Sequence, residues 1–260
     1  MSTENFLAPT LGPSFTVWAF TPDNSREAQL RRYGDYLSKL LGGELRQGLP
    51  EVDGNGNGHL GSAEISRQLV VYGEPAPHVL RQLVAGRSYK RFLKQCQRSL
   101  LIVNQPKIPI DRILLVLRTE EIDRAAVEWL IRLAQPSEAD VAILPVLPMI
   151  PVVHSLNFER QRDLGSLLSP ISREGLLLRQ FSRDLAEAHI EANLHLRQGE
   201  PIWQLKRELV AANYDLIIVG EDPVNMWSRL FHSELAALLL RCTRKPVLVA
   251  RCARNPETPS

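Results

Sequence analysis

Twice in this chain an apolar strand runs into Gly-Glu, a helix-length stretch carries a cysteine in its last turn, and a second apolar strand follows. The first copy runs Leu69 to Glu74, Tyr89 to Arg98 and Ser99 to Val103. The second runs Leu216 to Glu221, Leu235 to Arg244 and Pro246 to Ala250. Cys96 and Cys242 fall in register, as do Arg98 and Arg244, with about one residue of slippage. An internal repeat sets the number of folding units before any local motif is weighed. At 260 residues the chain has room for two modest domains, and the repeat divides it into a unit at 14–107 and another at 108–254.

The pattern within each unit alternates strand and helix. In the first, Phe15 to Phe20 reads as a strand, Arg26 to Leu41 as an amphipathic helix stopped by Gly42 and Gly43, and Glu44 to Val52 as a weaker strand. In the second, the strand Arg112 to Leu117 leads to a helix over Asp123 to Ala134 and a strand over Val141 to Leu147. A long helix from Ser172 to Ala192, a strand Asn193 to Arg197 and a helix Pro201 to Asn213 come next. Uninterrupted Leu and β-branched runs between amphipathic helices predict α/β architecture, a parallel sheet covered by helices on both faces. The first unit lacks the middle of this plan and is read as a trimmed copy. Both units close on an apolar strand, and an exposed edge of that composition invites aggregation. The economical arrangement sets Leu100–Val103 against Pro246–Ala250 across an internal pseudo-twofold, a pseudo-dimer within one chain, with a homodimer as the other arrangement.

Composition narrows the function classes. With 31 basic and 29 acidic side chains the formal net charge is +2, so no global field recruits nucleic acid or anionic lipid. Cys96, Cys242 and Cys252 form an odd set without metal spacing, the pattern of reduced thiols in a cytoplasmic protein. The N-terminal stretch has neither a basic nor an apolar segment of the export type. The longest apolar run, Val141 to Val153, is broken by Pro145, Pro148 and Pro151, which argues against membrane insertion.

The closing segment Tyr214 to Gly220, then Trp227 to Phe231, then Lys245 to Arg251, resembles the last strand, phosphate loop, helix and strand of the universal stress protein family. The two-unit layout is similar to its tandem members. The resemblance implies an open parallel five-stranded sheet of the adenine nucleotide α-hydrolase-like type, here duplicated with the first copy trimmed. Nucleotide-binding members cradle phosphates with a spaced set of glycines and a hydroxyl at a helix N-terminus. In the second unit Gly220 matches the first glycine, but Pro223 stands at the second, Ser233 at the third and Glu234 at the hydroxyl. Proline removes a donor, and Glu234, with Glu221 and Asp222, repels phosphate. The family's acidic residue at the end of the first strand is replaced by Arg118. In the first unit Gly73, Ala76 and Gly86 keep the phase, followed by Arg87 and Ser88, but the elements that would complete an adenosine pocket are missing. Gly220, Ser233, Gly73, Gly86, Arg87 and Ser88 are thus vestigial phosphate-loop positions, and ATP is not expected as a cofactor.

One segment carries a separate signal. Asp53 to Glu64 satisfies the EF-hand loop pattern, with oxygen ligands from Asp53, Asn55 and Asn57, the carbonyl of His59, a water at Gly61 and a bidentate Glu64. Against calcium, the stretch is rich in Gly and Asn, its entering segment holds Gly48 and Pro50, and only Asp53 and Glu64 are charged. A flexible connection bridging a deletion is the favoured reading of the loop, and a weak calcium site is the alternative. His154, His189, His195 and His232 show no ligand spacing and are read as surface or packed residues, Trp203 and Trp227 as packing residues, and no catalytic residue is assigned. The expected function is that of a non-enzymatic, universal stress protein-like regulatory or protein-binding protein without the family's ATP site. The alternative is an adenine-nucleotide-binding, slowly hydrolysing stress-response protein.

Overall fold

The computed structural model describes residues 15–21, 26–50, 64, 66–73, 98–118, 123–146, 172–195, 201–221, 239–240 and 242–251. In chain order these contain β1 (Thr16–Phe20), α1 (Glu27–Leu40), β2 (Glu44–Gln47), β3 (Gln68–Gly73), β4 (Ser99–Val103) and β5 (Arg112–Leu117). They continue with α2 (Asp123–Ser137), β6 (Asp140–Pro145), α3 (Arg173–Glu187), β7 (Ala192–Leu194), α4 (Pro201–Ala211), β8 (Leu216–Glu221) and β9 (Val247–Arg251).

The strands form one nine-stranded sheet in the order β2-β1-β3-β4-β9-β8-β5-β6-β7. Five strands from β5 onward make the parallel sheet anticipated for the second unit, and the four earlier strands extend it rather than standing apart. Neighbours are parallel throughout except at the centre, where β4 and β9 run antiparallel and pair Leu100 with Val249, Leu101 with Leu248 and Ile102 with Val247. Both strands are buried along their whole length. Such runs suit a strand covered on both faces, where every second side chain enters a different core.

The helices follow from their apolar spacing. In α1, Leu30, Tyr33 and Leu37 share the buried face, and the chain leaves the helix through Gly42 at φ 63°, a left-handed conformation that glycine adopts without steric cost. In α2, Ala126, Leu130, Leu133 and Ala134 are buried beside Trp129. Ser172 caps α3, its hydroxyl accepting from the Gly175 amide at 3.0 Å. That helix is shorter than its periodicity suggests. It ends at Glu187, His189 takes φ 56°, and Ala192 already belongs to β7.

One core runs the length of a sheet face and joins the two halves: Val17, Leu30 and Leu37 from the first lie in the same cluster as Leu115, Leu130, Phe181 and Leu248. Each fully buried side chain of this size contributes about 1.5–3 kcal/mol. Polar ties stitch the junction. The Ser99 hydroxyl on β4 accepts from Trp129 Nε1 at 2.7 Å and from the Arg251 amide at 3.1 Å, joining β4, α2 and β9. Arg132 of α2 lies 5.4 Å over the Phe15 ring and 5.3 Å over Trp129, and burial lowers the pKa of its guanidinium. At the opposite end of the strands Asp215, buried, accepts from the Asp111 and Arg112 amides at 3.0 and 3.1 Å and from Lys107 Nζ at 3.3 Å.

Candidate functional site

Ligands of open α/β sheets bind at the carboxyl ends of strands where the winding direction reverses. In the second half that point lies between β5 and β8. From β5 the chain moves through α2 to β6 on one side, and β8 lies on the other. Arg118, the residue after β5, occupies the crevice. Its side chain is buried, and its guanidinium donates to the carbonyl of Gly220 at the end of β8. Its own amide donates to Asp123 Oδ2 at 2.8 Å, which anchors the first turn of α2. The wall opposite is Pro145 and Val146 at the end of β6, the latter's amide bonded to the Leu117 carbonyl at 2.7 Å. Gly220, taken from sequence as the first phosphate-loop glycine, is therefore engaged by a side chain through its carbonyl.

The first half presents the corresponding point between β1 and β3. Phe20 pairs with Tyr72, which brings Thr21 beside Gly73. A Cβ on Gly73 would lie 3.0 Å from Thr21 Cβ and 3.2 Å from Leu30 Cδ2, so the close approach of β3 to β1 and α1 explains a glycine here without a phosphate. At the start of α1, Arg26 reaches Asn104 beyond β4, donating to its side-chain oxygen at 3.0 Å. Between the ends of β1 and β2 and the first turns of α1 is a depression of about 150 Å³ lined by Phe20, Thr21, Glu27, Arg31 and Gln47 among others. Pockets for drug-sized ligands occupy about 300–1,000 Å³. Among the described residues this one is smaller than that range.

Gly86, Arg87, Ser88 and Ser233 lie outside the described residues, as do Pro223 and Glu234 and the loop positions Asp53, Asn55, Asn57 and His59. Glu64 is described and exposed. Among the described residues no group of three or more His, Cys, Asp or Glu side chains is placed to hold a metal. Cys242 is a free, partly buried thiol, and Cys96 and Cys252 lie outside the described residues. No helix of the described residues is long and apolar enough to cross a membrane.

His195 is a partly buried, packed residue whose Nδ1 lies 2.8 Å from Glu208 Oε1, and Glu208, fully buried on α4, also accepts from the Tyr214 hydroxyl. The carboxylate thus fixes the end of β7 to α4 and to the approach of β8. The thirteen-residue separation follows no local motif, which is why spacing did not reveal it. Trp203, taken as a packing residue, is 61% exposed on α4.

An open α/β sheet with helices on both faces and its crevice at the reversal between β5 and β8 is consistent with the adenine nucleotide α-hydrolase-like fold. The chain belongs to the universal stress protein family, whose model matches residues 109–251, more than half its length. Solved structures agree in fold. A universal stress protein from Archaeoglobus fulgidus DSM 4304 superposes with a TM-score of 0.55 at 13% identity, over 91% of this chain and 88% of that one. A protein of Pseudomonas aeruginosa UCBPP-PA14 assigned to the universal stress proteins gives the same score and identity over 91% and 92%. Among curated proteins nothing matches the chain.

Proposed function

We propose that this is a non-enzymatic, regulatory or protein-binding member of the universal stress proteins, acting in the cytoplasm, that has lost the classical ATP site and is built as a tandem duplication with a trimmed first copy. The duplication is supported by the strand order. From the sheet centre outward, the second half reads β9-β8-β5-β6-β7 and the first reads β4-β3-β1-β2, the same path less one strand.

The contact of Arg118 with the Gly220 carbonyl carries the reading of the site. A nucleoside entering between β5 and β8 would have to displace a buried guanidinium and strip the carbonyl of that partner. Leaving one buried polar group unsatisfied costs about 1–3 kcal/mol, more when a charge is involved. The residues that would repay this are altered in sequence: Pro223 offers no amide, and Glu234 opposes phosphate.

Isothermal calorimetry with Mg-ATP tests the proposal. The expected result is no binding tighter than about 10 μM, on a scale where each factor of ten is about 1.4 kcal/mol. A dissociation constant below that value would overturn it.

A further inference from the structure

The outward face of α4 carries the two most exposed large apolar side chains among the described residues. Trp203 is 61% exposed and Val210 is 88% exposed. Seven residues apart on a helix, they lie on one line, two turns apart. Between them on the same face stand Lys206 and Arg207, both exposed, while Gln204, Leu205 and Glu208 point into the protein. Lys206 Nζ lies 5.6 Å from the centre of the Trp203 ring, a cation resting on the indole. The only acid on the helix is Glu208, which is buried against His195 and Tyr214. The exposed face is therefore apolar at both ends and positive in the middle.

We propose that this face of α4 is a docking surface for an acidic, amphipathic segment of a partner protein. The partner lays apolar side chains against Trp203 and Val210 and sets carboxylates opposite Lys206 and Arg207. Charge complementarity selects this occupant. A second copy of the chain would bring Lys206 and Arg207 against their own equivalents and repel. Trp and Arg are the residue types that most often anchor protein interfaces, and a row at i, i+3, i+4 and i+7 is the spacing by which one helix reads another. The support behind the face is rigid. Glu208 holds the inner side of α4 to β7 and to the segment leading into β8, so the helix presents its outer residues on a fixed frame. The inference rests on the protein-binding reading above and names its partner chemistry.

The test uses the full chain and two labelled synthetic helical peptides with the same leucine spacing, one carrying glutamates between the leucines and the other lysines. Fluorescence anisotropy at low salt should show the acidic peptide binding at least about 10-fold tighter than the basic one, with affinity falling as salt rises. Trp203→Ala should weaken the acidic peptide by at least about 10-fold, the loss expected of an anchor residue. The pair Lys206→Glu and Arg207→Glu should reverse the preference between peptides, and Leu176→Ala, at an exposed site on α3, should change neither. Equal binding of both peptides, binding of neither, or insensitivity to Trp203→Ala would overturn the proposal. So would self-association of the unmodified chain that Trp203→Ala abolishes, since the occupant would then be a second copy. Nucleotide binding in the calorimeter refutes the reading of the crevice independently, whereas failure of the peptides with no ATP bound refutes only this surface.

Discussion

Leu248→Ala probes the seam on which the whole sheet depends. Leu248 is fully buried on β9, between Ile218 of β8 and Leu101 of β4, and belongs to the core cluster shared by both halves. Truncation removes three carbons and leaves a cavity, a change that costs about 2–5 kcal/mol in well-packed cores. How far the void collapses decides where in that range it falls. Here hydrogen-bonded strands lie on both sides of β9, and neither can move inward without breaking its ladder. The expected loss is accordingly near the upper end, about 4 kcal/mol. For a chain of this size each kcal/mol lowers the melting temperature by about 2–4 °C, giving about 8–16 °C in all. Urea denaturation followed by far-UV circular dichroism and by tryptophan emission should show a single coincident transition whose midpoint falls with its slope unchanged. Leu248→Asp adds an unpaired buried charge, which together with the lost packing approaches the entire stability of a typical domain, about 5–15 kcal/mol, so that variant should be insoluble. A loss below about 1 kcal/mol, or two transitions of which only one shifts, would refute the idea that β4 and β9 weld the halves into one cooperative unit.

Tyr33 is fully buried and its hydroxyl has no hydrogen-bond partner among the described residues, so Tyr33→Phe should leave stability unchanged or raise it by about 1 kcal/mol in chemical denaturation; a loss above about 1 kcal/mol would refute this. Burial, then the neighbouring Tyr36 and Asp215, raises the Tyr33 pKa, which favours the neutral phenol: this contribution is intact below the ordinary tyrosine value of about 10 and is lost as pH rises above it. Absorbance titration should therefore show Tyr33 ionising only as the protein unfolds at high pH, and Tyr33→Phe should extend the stable range upward. Ser99→Ala strips Trp129 Nε1 and the Arg251 amide of a shared acceptor and should cost about 2–4 kcal/mol, with a change in near-UV dichroism; a neutral substitution would mean that the contact is not made in solution. Millimolar calcium should leave the melting temperature unchanged, as a linker at Asp53 to Glu64 requires; a rise that Glu64→Ala abolishes would establish the loop as a site.

Ser99–Val103, Arg112–Leu117 and Leu216–Glu221 were legible as strands because each is a short apolar run closed by an asparagine, a charge or a glycine, and burial on both faces leaves no other place for it. The limits of α3 were not, because its apolar spacing continues past Glu187 while a single left-handed residue, His189, turns the chain out. Trp203 was misread for a related reason: residue type predicts burial on average, but position on the helix decides it, and Trp203 falls on the far side of α4 from Leu205 and Glu208. The crevice was half legible. That Arg118 replaces an acid could be read from the strand end, but its contact with Gly220 spans 102 positions, and only the adjacency of β5 and β8 brings the two together. The tie between His195 and Glu208 was hidden in the same way.

Placing β4 against β9 has a consequence for how the protein can meet others. A sheet has two edges, and joining the two closing strands moves both from edge to centre, leaving β2 and β7 outermost among the described strands. These edges are poor templates for strand addition. The outer strand β7 has three residues, and β2 carries the exposed ion pair Glu44–Arg46, whose guanidinium also lies 5.5 Å over Trp18. Short length and fixed charge are the devices by which soluble proteins keep edge strands from pairing with other chains. Once the apolar strands are spent internally and the remaining edges are blunted in this way, helix faces become the better surface for recognition. Along α4, where tryptophan and valine face outward around two cations, the exposed residues run opposite to what burial alone would select.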